Sequence, residues 1–157
     1  MLKISTKLSN TLSLVIAVIF FLACIVCAFF LPTVVNMLID TPDNIGNREA
    51  ITQFGRVFVH IVSYVLLAVF TLADALLMFL LIRVRKGYVF TPLSVSLIRG
   101  VSWCLLLVCV AFALLGAYFQ LAFIMAFLAM FLGICLRVVK NVIEEATEIK
   151  SENDLTV

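Results

Sequence analysis

His60, Ser63, Leu67, Thr71 and Asp74 follow one another at intervals of three, four, four and three residues. That spacing places all five on one side of an α-helix. Four of them are polar, and they interrupt a run from Val57 to Ile82 made almost entirely of Val, Ile, Leu, Ala and Phe. A carboxylate, two hydroxyls and an imidazole in one row can line a polar cavity for a proton, a cation or a small ligand. They can equally hydrogen-bond to neighbouring helices and set the register of a bundle, each contact contributing ~0.6–2 kcal/mol. Under that second reading Asp74 pairs with Arg99 or Arg137, or meets Asn10 or Ser13 at similar depth. Under either reading the row faces inward, because polar groups against lipid are costly.

The elements that must position this row are read from composition. The chain has 157 residues, 65% of them apolar and 13% charged, with a mean hydropathy of +1.26. Soluble domains hold about 25% charged residues. Here the charges are also segregated: none from Leu8 to Ile39, only Asp74 from Val57 to Ile82, and none from Gly100 to Leu136. A spanning helix needs ~20 mostly apolar residues, so the last of these runs holds two spans, with a break at Gly116-Ala117-Tyr118-Phe119-Gln120. The expected fold is all-α, an integral membrane four-helix bundle in a single domain. Its spans run over about 10–35, 57–82, 97–116 and 120–139, with a tail over 140–157.

Helix one is expected to end near Val35, past Pro32. The loop that follows carries turn chemistry at Thr41-Pro42-Asp43-Asn44 and Ile45-Gly46-Asn47, and Arg48 to Phe54 is expected to form a short helical turn. After helix two, Gly87 is the break. Thr91 is an N-cap and Pro92 a first helical residue, and Trp103 is an interfacial belt residue. Beyond Arg137, Val142, Ile143, Ala146 and Ile149 recur at helical spacing with Glu144, Glu145 and Glu148 between them, an amphipathic extension with an acidic face.

Orientation follows from Lys and Arg. Lys3, Lys7, Arg83, Arg85, Lys86, Arg99, Arg137 and Lys140 fall on one side, against Arg48 and Arg56 on the other. By the positive-inside tendency both termini are cytoplasmic, in a multi-pass protein of the cell membrane. The first apolar run outlasts the ~7–15 residues of a signal sequence and is expected to be retained.

Several functions are disfavoured. No G-x-S-x-G, P-loop or H-E-x-x-H pattern is present, and a single histidine leaves little for hydrolytic catalysis, so no enzyme, cofactor or metal is expected. Cys24, Cys27, Cys104, Cys109 and Cys135 all lie in apolar runs and are read as packing residues. No basic stripe with interleaved aromatics points to direct contact with nucleic acid.

Gly87-Tyr88-Val89-Phe90-Thr91, Ile98-Arg99 and Ser102-Trp103-Cys104 resemble the loop of a bacterial family of small four-span proteins, domain-of-unknown-function family 2975. The stretch from Leu136 through Arg137, Val138, Val139, Lys140, Asn141, Val142, Ile143, Glu144, Glu145 and Ala146 resembles the same family more specifically. So does the tail Lys150-Ser151-Glu152-Asn153-Asp154-Leu155-Thr156-Val157. Pro92-Leu93-Ser94 departs from its pattern. The resemblance implies no catalytic residues. It implies a membrane protein often encoded beside a small helix-turn-helix regulator of the Cro/C1 type. A cytoplasmic surface for that partner would comprise Arg137, Lys140, Asn141, Glu144, Glu145 and Glu148, since an acidic helix suits a basic, DNA-reading protein. The lipid bilayer and a second copy of the chain are the other expected partners.

Overall fold

The structure, a computed structural model, describes residues 6–40 and 52–155, with side chains over 10–40 and 52–152. Four helices account for nearly all of these: α1 (Thr6–Asp40), α2 (Gln53–Arg85), α3 (Pro92–Gly116) and α4 (Gln120–Leu155). Each is long and apolar enough to cross a bilayer. The chain is a multi-pass membrane protein folded as an all-α four-helix bundle. The turn residues of the first loop and most of the expected Arg48–Phe54 turn lie outside the described residues. Its last two residues, Gln53 and Phe54, open α2.

The first helix runs further than its sequence suggests. It passes through Pro32 and ends at Asp40 instead of near Val35. Proline removes one donor from the helical ladder but leaves the following turns free to continue. The extra turn is useful: Asp40 accepts a hydrogen bond from Arg56 at 2.6 Å, tying the end of α1 to the start of α2.

The connection from α2 to α3 is built as its residues dictate. Lys86 caps α2. Gly87 then takes φ +86°, the left-handed conformation that glycine adopts without a Cβ penalty. Gly87 N–H donates to Val84 C=O at 3.0 Å and Tyr88 N–H to Arg83 C=O at 3.1 Å, the paired bonds of a Schellman motif. Four residues on, the Thr91 hydroxyl accepts from Ser94 N–H, and Pro92 occupies the first turn of α3. The Ser94 hydroxyl donates back to Tyr88 C=O at 2.9 Å, closing the loop on itself. The hairpin from α3 to α4 is tighter, with Tyr118 and Phe119 N–H both donating to Leu115 C=O.

Helices adjacent in sequence pack together: α1 on α2, α2 on α3, and α3 on α4. Small residues line the buried face of α4. Ala122, Ala126, Ala129 and Gly133 recur on one face of α4 and are all buried. Without side-chain bulk there, the backbone of α4 comes in close against α3. Ser102 on α3 uses the proximity to donate to Gly133 C=O at 3.1 Å. At the end of the bundle opposite the α2–α3 connection, Val35, Val59, Val62, Ala111, Leu115 and Ala122 form a core drawn from all four helices. Outward-facing Phe29 and Phe127 are 80% and 71% exposed, as expected of lipid-facing positions.

Candidate functional site

The polar row on α2 turns inward at its deepest member. Asp74 is only 6% exposed, and its Oδ2 has no hydrogen-bond partner. Neither cation expected to pair with it does so. Arg99 instead donates to Glu144, and Arg137 lies over the Trp103 ring. The buried thiol of Cys24 on α1 is within side-chain reach of Thr71 and within electrostatic range of Asp74.

Two of the remaining row members are served locally. The Thr71 hydroxyl donates to Leu67 C=O at 2.8 Å, and His60 Nδ1 bonds Arg56 C=O at 2.9 Å. His60, Ser63 and Thr71 open onto different spaces. His60 lines a groove with Arg56, Val57 and Tyr64. Ser63 borders an apolar cavity of about 190 Å³ against residues from α1, α3 and α4. Thr71 borders a groove beside Cys24, Phe21 and Ala28. Spread over ~21 Å of helix, the four polar groups keep a common face without sharing one cavity.

The other candidate residues gather at the end where α2 passes into α3. The helix α4 continues without a break past its last apolar turn at Leu136 and lies along the start of α3. Three rungs cross this seam. Deepest is the Ser102–Gly133 hydrogen bond. Next, the Arg137 guanidinium sits 5.3 Å from the Trp103 ring centroid, a cation–π arrangement. Outermost, Arg99 donates to Glu144 at 3.1 Å, and Lys140 approaches the other oxygen of the same carboxylate at 2.5 Å. The hydrogen bond from Lys140, with the Arg99 charge behind it, holds the Glu144 carboxyl below its usual range. Further out, Phe90 and Pro92 border a cleft with Thr147, Glu148, Lys150 and Ser151.

These contacts divide the six expected partner-surface residues into two sets. Arg137, Lys140 and Glu144 point at α3 and are engaged within the molecule. Asn141, Glu145 and Glu148 are exposed, Glu148 at the rim of the cleft with Phe90 and Pro92. Val142 and Ile149, read from sequence as part of the apolar side of an amphipathic extension, join this outer set at 61% and 55% exposure. The half-buried face consists of Ile143, Ala146 and Thr147. Periodicity alone places these residues on a helix but does not say which edge of the apolar arc a neighbour covers.

Residues 45–157 match the family model described as Protein of unknown function (DUF2975), and the chain belongs to that family. No curated protein and no solved structure matches the chain. The loop over 87–91 and the segment over 136–152 that carry the resemblance are neighbours in space, joined across the cleft between Phe90 and Thr147.

Proposed function

We propose that this protein is a regulatory or sensing partner, set in the cell membrane with both termini cytoplasmic, that binds a small helix-turn-helix transcription factor. The observation that carries this reading is the outer face of the α4 extension. Val142 and Ile149 present apolar surface beyond the membrane-spanning run, flanked by Glu145 and Glu148. An exposed apolar patch rimmed by charge is a common docking surface, and acidic groups complement a protein that must itself be basic to read DNA. The Arg99–Glu144–Lys140 network holds this face in a fixed position on the bundle.

The test uses the full-length protein in membranes, co-purified with a small helix-turn-helix regulator of the Cro/C1 type, the partner that the family resemblance implies. The unaltered chain should retain the regulator, and Glu145→Lys combined with Glu148→Lys should release it. Equal retention by both would remove the docking surface from the proposal.

A second reading, a small transporter or channel subunit, rests on Asp74, whose buried carboxylate oxygen lacks a partner. Ion or proton flux through reconstituted vesicles, abolished by Asp74→Asn, would favour it. The separation of His60, Ser63 and Thr71 into distinct spaces weighs against a continuous pathway.

A further inference from the structure

The seam between α3 and α4 has a surplus of positive charge at a particular depth. Arg99 and Lys140 share one carboxylate there, Glu144, and Arg137 stands beside them over the Trp103 ring. Of the three, Arg137 has no carboxylate partner among the described residues, and its guanidinium engages only the Trp103 ring. It is also the first charge after the uncharged run from Gly100 to Leu136. Trp103, itself 55% exposed, lies one helical turn inside Arg99. A tryptophan of this kind occupies the boundary between acyl chains and headgroups, so the free donors of Arg137 stand at the depth of lipid phosphates.

We propose that this seam binds the phosphate headgroup of an anionic phospholipid, with Arg137 as its principal ligand and Arg99 as its second cation. Guanidinium groups match phosphate oxygens through paired N–H donors, and basic pockets between spanning helices are a recurring lipid-headgroup site. The Trp103 ring fixes the plane of the Arg137 guanidinium from one side and leaves its edge to the ligand. Glu144 holds Arg99 and Lys140 in place without neutralising the cluster: three cations against one anion leave two positive charges over. An acyl chain then lies along the exposed apolar surface of α3, where Leu107 and Val110 continue the Trp103 side of the helix at 55% and 57% exposure.

General attraction of a basic membrane face to anionic lipid makes a different prediction from a built site, and the two are separable. The full-length protein is placed in nanodiscs of phosphatidylcholine with increasing phosphatidylglycerol. Bound lipid is counted by native mass spectrometry after release, and thermal unfolding is followed in parallel. The unaltered protein should retain phosphatidylglycerol over phosphatidylcholine and unfold at a higher temperature as its fraction rises. Arg137→Gln should reduce that retention by about tenfold or more, and Arg99→Gln should reduce it less. Arg85→Gln, an equal loss of charge on the exposed end of α2, should leave it unchanged. Inorganic phosphate added to phosphatidylcholine nanodiscs should give no shift. Equal losses in Arg85→Gln and Arg137→Gln, undiminished retention in Arg137→Gln, or the same stabilisation by free phosphate would each overturn the proposal. If Arg137→Gln fails to fold, Arg99→Gln against Arg85→Gln decides the same question.

Discussion

Arg99 and Glu144 are 45 residues apart in sequence and 3.1 Å apart in space. The contact joins the first turns of α3 to the part of α4 beyond its apolar run. With Lys140 on the same carboxylate, it ties the α4 extension to the start of α3.

Removing that carboxylate should loosen the extension without unfolding the protein. Glu144→Gln should broaden the distance distribution between spin labels at positions 90 and 151, while the melting temperature barely moves, as is usual for exposed ion pairs. Acid should do the same to the unaltered protein. The Glu144 carboxyl is held below its ordinary value of 4.5, so its contribution is complete above that value and disappears as pH falls through the lowered one. An unchanged distribution in acid would mean that packing at Phe90 and Thr147 holds the extension alone.

Asp74 should behave as a destabilising residue. A charged aspartate in the middle of a spanning helix costs ~2.5–3.5 kcal/mol on insertion scales, and here Oδ2 gains no hydrogen bond in return. Asp74→Asn is therefore expected to resist unfolding by SDS as well as the native protein does, or better by up to ~2 kcal/mol. A substantial loss of stability would reveal a partner for the carboxylate.

Gly87→Ala should lower stability by about 1 kcal/mol, because φ +86° is strained for any residue with a Cβ. No atom stands within 4 Å of the added methyl, so the loss reports backbone strain alone. Equilibrium unfolding in SDS measures it, and Gly87→Asn, which tolerates the left-handed region better, should recover part of the difference.

Ser102 makes a buried interhelical hydrogen bond, and Ser102→Ala should cost ~0.6–1.7 kcal/mol, the range found for such bonds in membranes. The same substitution should leave the Arg99–Glu144 contact intact, since that contact lies nearer the aqueous end of the seam. Double substitution with Glu144→Gln then gives additive effects on unfolding if the two rungs are independent.

Local chemistry makes much of this architecture legible in the sequence. Long uncharged runs define the helices. Gly87, Thr91 and Pro92 mark one junction, and Gly116 to Gln120 marks the other, because caps and turns depend on residues close in sequence. The row from His60 to Asp74 is equally readable as one helical face. Its partners are not. Which cation meets which carboxylate depends on how far α3 slides along α4, and that register is set by Ala122, Ala126, Ala129 and Gly133, small residues whose pattern carries no charge. Hence Arg99, which depth alone would allow to reach Asp74, is held by Glu144. Hence too Val142 and Ile149 stay outside, since only the edge bearing Ile143 and Thr147 finds a neighbour.

The uninterrupted course of α4 has a mechanical meaning. At 36 residues it is a single rod of ~54 Å, well over the ~30 Å of a hydrocarbon core. It contains no proline or glycine after Gly133 to act as a joint. A tilt imposed inside the bilayer, by a change in its thickness or in the packing of α3, is therefore not absorbed on the way out. Over the ~29 Å between Leu136 and the end of the helix, a 10° tilt swings the tip by ~5 Å. Glu145, Glu148 and Ile149 ride on that arm, so the surface offered to the aqueous side moves with the state of the membrane.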